Sequence, residues 1–287
     1  MAGIVTDALG HRESTFQGTG GVRLWEQSWR PLEEPKAVLV LVHGLKDHSS
    51  RYGLVAAEIV KLGISVYAFD LRGHGHSEGP RAWVENFDDY VGDLLGFIAS
   101  VAPREPGRPI FLFGHSMGGA IVTKYLLVRS PSLRGVILSG PALQRPSSVS
   151  GFLVGFTKFL SAVAPHAKVF KSENSDFSRD PNVVAEMDAD PLIYQKPAPA
   201  RTAAELLRAM EYIHARMDSV GVPLLILHGT ADKLSDPEGS RELFRRAGSA
   251  DKSLKLYEGF YHDLLHEPGK EQVMADLLGW LNAHRPP

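Results

Sequence analysis

The sequence predicts an α/β fold in which a mostly parallel central sheet is flanked by helices. Ala37–Val42 is a run of six apolar residues without polar alternation, which is typical of a strand covered on both faces. Similar apolar runs recur at Ile64–Phe69, 110–113 and 136–140, and stretches of helical character lie between them. Strands and helices that alternate every 25–35 residues or so indicate a parallel sheet with crossover helices.

Each element follows from apolar spacing and from the residues that bound it. We expect strands at 14–17, 22–29, Ala37–Val42, Ile64–Phe69, 110–113, 136–140, 223–229 and 253–257. We expect helices from Ser49 or Ser50 to Lys61 and at 87–102, Met117–Arg129, 152–163, 201–217, 238–246 and 271–282.

The alternation of strands and helices stops after residue 140. Residues 141–200 contain no strand–helix unit and are too many for a simple loop. We therefore expect a core formed by 1–140 and 201–287, with 141–200 inserted as a largely helical cap over the working edge of the sheet.

Composition narrows the class of protein. The chain has 287 residues, 44% of them apolar and 22% charged, with a net charge of −2, so no nucleic-acid partner is expected. It has no cysteine, which excludes disulfides and thiolate catalysis. Residues 1–17 contain no apolar segment like a secretion signal, and no run approaches the roughly 18 apolar residues of a membrane span. We expect a cytoplasmic protein.

The first catalytic pattern lies between the 110–113 strand and the Met117–Arg129 helix. Gly114-x-Ser116-x-Gly118 is the pattern of a nucleophile elbow, in which a serine occupies a sharp strand-to-helix turn. Glycines on both sides allow the strand and the helix to approach closely. Ser116 is therefore the predicted nucleophile.

A serine nucleophile needs a base and an acid that orients the base, both at the same edge of the sheet. His262 follows the last predicted strand and Asp232 follows the strand before it. The order Ser116, Asp232, His262 is that of α/β hydrolases. Asp236 is the alternative acid, and a locally hydrogen-bonded loop histidine is the alternative interpretation of His262.

Backbone donors must also stabilise the oxyanion of the tetrahedral intermediate. The amide that follows the nucleophile belongs to Met117. The second donor should come from the loop after Ala37–Val42, where Leu45 supplies an N–H.

Several motifs resemble the monoacylglycerol lipase family of α/β-hydrolase serine lipases. They are the stretches 43–52 (HGLKDHSSRY), 70–79 (DLRGHGHSEG), 114–119 (GHSMGG), 190–192 (DPL), 229–232 (GTAD) and 261–262 (YH). The resemblance implies hydrolysis of one fatty-acyl chain from glycerol beneath a mobile apolar cap that docks on lipid. It implies a monoacylglycerol as the small lipid substrate and no cofactor.

Two further groups of residues are expected to contact the substrate. Asp47 stands where many family members have glutamate, and Asp47 with Arg51 either grips a glycerol hydroxyl or forms a pair that stiffens the loop. Phe152, Phe156 and Phe159 fall on one helical face of the cap. They either pack in a core or line an acyl tunnel and touch a membrane or lipid-droplet surface, which would make the protein peripheral to a membrane.

Two other functions are compatible with the same residues. A broader carboxylesterase or a lysophospholipase would use the same triad, although the few cationic residues of the cap argue against phosphate-bearing head groups. A catalytically silent α/β hydrolase acting as a receptor is the remote alternative. The histidine pairs 43/48 and 74/76 lack carboxylates at a matching spacing, so no metal site is expected.

Overall fold

The computed structural model describes residues 10–147 and 149–287, so residues 1–9 of the predicted core and residue 148 of the predicted cap lie outside the described residues. Ten strands are present in the described chain. They are β1 Arg12–Gln17, β2 Arg23–Trp29, β3 Ala37–Val42, β4 Ile64–Phe69, β5 Ile110–His115, β6 Gly135–Ser139, β7 Lys168–Phe170, β8 Ala198–Pro199, β9 Leu224–Gly229 and β10 Lys252–Tyr257.

Eight of these strands form one sheet in the order β1-β2-β4-β3-β5-β6-β9-β10. The six strands from β4 to β10 in this order are parallel, whereas β1 and β2 pair antiparallel at one edge. The predicted mostly parallel sheet is confirmed. Parallel strands place all their carboxyl ends at one edge, where a site for chemistry is expected.

Strand β3 illustrates how the sheet separates two cores. All six of its residues are buried. Val38, Val40 and Val42 contact the apolar cluster on one face, and Leu39 and Leu41 contact the cluster on the other. Alternating side chains thus fill both layers, which explains why the run is apolar throughout.

Helices cover both faces of the sheet. Their bounds are α1 Gly53–Val60, α2 Phe87–Val101, α3 Met117–Arg129, α4 Gly151–Val163, α5 Pro181–Ala189, α6 Ala200–His214, α7 Pro237–Arg246 and α8 Lys270–His284. Helices α2, α3, α6 and α7 contribute to the cluster around Val40, and α1 and α8 to the cluster around Leu39. The predicted flanking layers are confirmed.

The described part of segment 141–200 supplies no strand to the eight-stranded sheet. It contains α4, α5 and the short antiparallel pair β7–β8. The sequence did not predict α5, whose nine residues carry a weak apolar pattern and only one buried side chain, Met187. The division into core and cap stays a prediction.

Across residues 10–147 and 149–287, none of the helices combines the length and the apolar character that crossing a membrane requires.

Candidate active site

Ser116 lies in the tight turn between β5 and α3. Its backbone has φ 53° and ψ −120°, a positive-φ conformation that non-glycine residues rarely adopt. The turn is held by hydrogen bonds from Ser116 N–H to the Ser139 carbonyl (3.0 Å) and from Ala142 N–H to the Ser116 carbonyl (2.9 Å). The surroundings therefore impose the strained conformation on Ser116.

Glycines allow backbone to pass close to this turn. A Cβ at Gly118 would lie 2.2 Å from the Val42 carbonyl oxygen, and a Cβ at Gly114 would lie 2.6 Å from the Gly118 carbonyl oxygen. A Cβ at Gly44 would lie 2.9 Å from the Cβ of Ser116. The loop after β3 therefore contacts the predicted nucleophile directly.

Asp232 and His262 are brought together by the loops after β9 and β10. Nδ1 of His262 donates to Oδ2 of Asp232 over 2.7 Å, and the two side chains are 1% and 0% exposed. Nε2 of His262 is buried and has no hydrogen-bond partner among the described residues. Asp236, the alternative acid, instead caps α7 by accepting from Glu238 N–H.

Burial and charge act in opposite directions on this pair. Burial alone lowers the pKa of His262, but the charge of Asp232 and its hydrogen bond outweigh burial, so the pKa of His262 lies above its ordinary value of 6.5. Burial alone raises the pKa of Asp232, but His262 and the hydrogen bonds from His228 and His262 hold it below its ordinary range. Asp232 is thus ionised at neutral pH.

Two residues near Asp232 had no signal in the sequence. Nε2 of His228 lies 3.2 Å from Asp232 Oδ2, and the hydroxyl of Ser235 lies 2.9 Å from the same oxygen. Ser240 contacts the other ring nitrogen of His228 over 2.7 Å. The sequence predicted His228 only as part of the strand at 223–229, because contacts across a folded loop leave no local pattern.

One predicted oxyanion donor directly follows Ser116 in the chain, and the other lies in the loop that contacts Ser116. Met117 is the first residue of α3, where N–H groups have no acceptor within the helix. Leu45 is half-buried and follows Gly44, which contacts Ser116. Their use as oxyanion donors stays a prediction.

His43 orders the loop that carries Leu45. Its Nε2 accepts from Leu71 N–H over 2.9 Å and its Nδ1 donates to the Gly44 carbonyl over 2.8 Å. Burial lowers the pKa of His43, in agreement with the neutral tautomer that these contacts need. This histidine is tied to two backbone segments.

The structure contains the Asp47–Arg51 pair that was the alternative to a glycerol contact. Asp47 Oδ1 accepts from Arg51 over 3.0 Å and from His48 N–H over 2.8 Å, and Oδ2 accepts from the Tyr52 hydroxyl over 2.8 Å. The Asp47 side chain is only 4% exposed. A substrate contact of Asp47 or Arg51 stays a prediction.

Helix α4 presents its aromatic side chains outward. Phe152, Phe156 and Phe159 are 84%, 46% and 59% exposed, so the interpretation as buried core is wrong for them. The buried residues of α4 are Thr157 and Ser161, and α4 packs against α6. A substrate contact of the three phenylalanines stays a prediction.

A cavity of 690 Å³ lies between α4, α6 and the chain after β6. Leu143, Val154, Leu207 and Met210 supply much of its apolar lining. One of its lining residues, Leu143, directly follows Ala142, whose N–H binds the Ser116 carbonyl. Its size is ordinary for a small-molecule pocket.

No group of three or more histidine, aspartate or glutamate side chains in the described ranges is arranged to hold a metal ion.

Sequence and structure comparisons decide the family. A monoacylglycerol lipase of Mycolicibacterium smegmatis is 37% identical over 95% of this chain and 97% of its own length. The chain belongs to the monoacylglycerol lipase family. A family model described as serine aminopeptidase S33 matches residues 33–269. The human monoglyceride lipase is 37% identical over 86% of this chain and 82% of its own length.

Solved structures agree with this membership of the monoacylglycerol lipase family. The crystal structure of a Paleococcus ferrophilus monoacylglycerol lipase superposes with a TM-score of 0.81 at 32% identity, covering 91% of this chain and 99% of that one. The predicted α/β-hydrolase fold and the predicted family are confirmed, and the chain is a hydrolase.

Proposed function

We propose that this enzyme hydrolyses the carboxylic ester of monoacylglycerols through an acyl-enzyme on Ser116. Ser116 Oγ attacks the acyl carbonyl carbon while Nε2 of His262 accepts the hydroxyl proton. The same proton is then transferred to the departing glycerol oxygen. Water attacks the acyl-enzyme next and loses a proton to His262. That proton returns to Ser116 Oγ as the bond from Oγ to the acyl carbon breaks and the fatty acid is released.

The observation that carries the proposal is the state of His262. Its Nδ1 is bonded to the ionised Asp232, which holds the ring in the tautomer with a free Nε2. Nε2 itself makes no hydrogen bond in the described chain. A buried, oriented and unoccupied acceptor, whose ring lies 4.9 Å from the ring of His115 directly before Ser116, is what a general base requires.

The oxyanion of the tetrahedral intermediate would be bound by Met117 N–H and Leu45 N–H. Met117 N–H lies at the positive end of the α3 dipole. Gly44 lets the loop of Leu45 approach Ser116, because any larger residue would meet the serine Cβ. The hydrogen bonds from these two N–H groups would strengthen as negative charge develops on the carbonyl oxygen of the substrate.

Residues 141–200 would act as the cap of this site, and the acyl chain would occupy the cavity lined by Leu143, Val154, Leu207 and Met210. These four side chains give the cavity an apolar wall that suits a fatty-acyl chain, and Leu143 is adjacent in the chain to Ala142, which binds the Ser116 carbonyl. The monoacylglycerol lipase names of the relatives from Mycolicibacterium smegmatis and Paleococcus ferrophilus support glycerol as the head group.

We also propose that the cap touches a lipid surface through Phe152, Phe156 and Phe159. Three adjacent exposed aromatics on α4 form an apolar patch of the kind that marks an interaction surface. Lys158 on this helix is engaged by Glu211, so adsorption would depend on apolar area more than on charge.

The function is tested by turnover of mono-, di- and triacylglycerols and lysophosphatidylcholine at matched acyl length. We expect monoacylglycerol to be preferred and Ser116→Ala to abolish turnover of every substrate. Ser130→Ala is a matched control, because Ser130 also has a positive φ but lies at the far end of α3. Preference for the lysolipid would reassign the substrate, and turnover by Ser116→Ala would remove the mechanism.

A further inference from the structure

Asp263 is a buried carboxylate that the mechanism above does not use. It directly follows His262, and its side chain is 3% exposed. Arg51 donates to its Oδ2 over 2.5 Å, and Nδ1 of His266 lies 2.8 Å from its Oδ1. Both carboxylate oxygens are therefore engaged next to the predicted base.

Arg51 connects this carboxylate to a second loop. One of its terminal nitrogens contacts Asp263, and the other contacts Asp47 over 3.0 Å. Asp47 belongs to the loop after β3, which also carries Leu45. A single guanidinium thus spans the loop of the predicted base and the loop of a predicted oxyanion donor.

His266 and the main chain of Asp263 make further contacts that hold the Arg51–Asp263 pair in place. Nε2 of His266 lies 3.1 Å from the Arg51 carbonyl oxygen, so His266 contacts both members of the Arg51–Asp263 pair. The backbone of Asp263 is also held, since its N–H donates to the Phe177 carbonyl over 2.8 Å. The residue after His262 is fixed through both its side chain and its main chain.

The contribution of this arrangement to stability is small compared with its effect on geometry. Taking the charges of Asp47, Arg51 and Asp263 out of water offsets much of their attraction, so a buried pair is a weak source of stability. A guanidinium that binds two carboxylates at 2.5–3.0 Å nevertheless sets the separation between the loops that carry them.

We propose that Asp263 is a positioning residue that, through Arg51, holds the loop of His262 at a set distance from the loop of Leu45. This inference rests on the proposed function, because it assigns those two loops the base and an oxyanion donor. The transition state needs both at once, and a displacement of about 1 Å can lower the rate on the order of 100-fold.

The test compares Asp263→Asn with Glu105→Gln on a water-soluble short-chain ester. Glu105 is also a carboxylate with 3% exposure, and Nε and Nη2 of Arg30 and the Tyr67 hydroxyl donate to it. It lies before β5, however, at the opposite edge of the sheet. We expect kcat of Asp263→Asn to fall about 10- to 100-fold with KM changed less than threefold. We expect kcat of Glu105→Gln to stay within twofold of the parent.

Two further variants keep the test independent of folding. Arg51→Lys keeps the charge but has one nitrogen in place of the two that reach Asp47 and Asp263, so we expect the same loss of kcat in a folded protein. Combining Arg51→Lys with Asp263→Asn should lower kcat no further than either change alone, because both changes break the same contact between residues 51 and 263.

The proposal is overturned if Asp263→Asn and Glu105→Gln have equal kcat, or if KM rises while kcat is preserved, which would indicate a substrate contact. The same series includes Ser116→Ala. Turnover retained in Ser116→Ala would refute the proposed function itself, whereas a fully active Asp263→Asn beside an inactive Ser116→Ala would refute only the positioning role.

Discussion

The loops at the carboxyl edge of the sheet and helix α4 place opposite kinds of side chain in opposite environments. Around His262, charged and polar groups are buried and contact one another: Asp232, His262 and Asp263 are at most 3% exposed. On α4, large aromatic side chains face solvent, and Phe152 is 84% exposed. Both regions are exceptions to the usual distribution, in which charged side chains are exposed and large apolar side chains are buried.

The two exceptions have different explanations. Buried polar groups cost free energy unless they are paired, and here the partners lie within the chain itself, so the chain defines the geometry of the site. The aromatic side chains of α4 remain largely exposed in the described chain, and the proposed lipid contact would cover them. The first region therefore defines the predicted chemistry, and the second is the basis of the proposed lipid contact.

The largest effect on activity is expected from a substitution in the buried polar region around His262. Asp232→Asn removes the charge that raises the pKa of His262 and no longer selects the tautomer with a free Nε2. We expect kcat/KM on a soluble ester to fall on the order of 10⁴-fold, with vesicle binding unchanged. Asp236→Asn, which alters only the cap of α7, is the control. Comparable losses in both variants would reassign the acid.

The next effect is expected at α4. Replacing Phe152, Phe156 and Phe159 together by serine should weaken binding to phosphatidylcholine vesicles on the order of 10- to 100-fold in a sedimentation assay, because apolar area no longer enters the lipid. Turnover of a soluble short-chain ester should stay within twofold. Leu32→Ser removes another exposed apolar side chain, 92% exposed but outside the cap, and should change neither quantity. Equal losses of binding and turnover in the triple variant would indicate that α4 shapes the site.

A smaller effect concerns pH. His262 must be neutral to accept the Ser116 proton, and Asp232 raises its pKa above 6.5. We therefore expect kcat/KM on a soluble ester to rise about tenfold per pH unit at low pH and to level off above 6.5. A pH–rate profile whose acid limb has its midpoint below 6.5 would contradict this assignment. His115, whose pKa burial lowers to about 4, cannot supply this limb.

The smallest expected effect lies where the two regions meet. Nε2 of His48, in the loop after β3, contacts Asp190 of the predicted cap over 2.9 Å. Asp190→Asn should weaken this tie by about 1 kcal/mol, since the side chain of Asp190 is partly exposed. Limited trypsin digestion should cut at Lys171 or Arg179 a few-fold faster, with the melting temperature nearly unchanged. Asp180→Asn, at the N-cap of α5, serves as the comparison, and equal digestion rates in the two variants would argue against the tie.

Much of the core could be predicted from the sequence because its signals are local. Six consecutive buried residues in β3 and in β4 and the glycines around Ser116 each reflect a requirement of the adjacent backbone. The elements of segment 141–200 were harder to predict. Helix α5 buries only Met187, and β7 and β8 have three and two residues, so these elements leave little periodicity to detect.

The residues of the site also divide into those that the sequence predicted and those that it did not. Asp232 and His262 were predicted from their places after two strands, and the structure brings their side chains to 2.7 Å. His228, 3.2 Å from the same carboxylate, and Asp263, joined to Arg51 from 212 positions earlier in the chain, were not predicted. Their roles depend on distances between loops that no spacing in the sequence encodes.

The sequence by itself determined the order of the strands and helices of the predicted core, the turn at Ser116 and the family, because apolar periodicity, glycine placement and short motifs are properties of neighbouring residues. Only the tertiary structure decided that Asp47, Arg51 and Asp263 form one buried ion network and that Phe152 faces solvent. Pairing and exposure depend on which distant surfaces meet, and that is set by the packing of the whole chain.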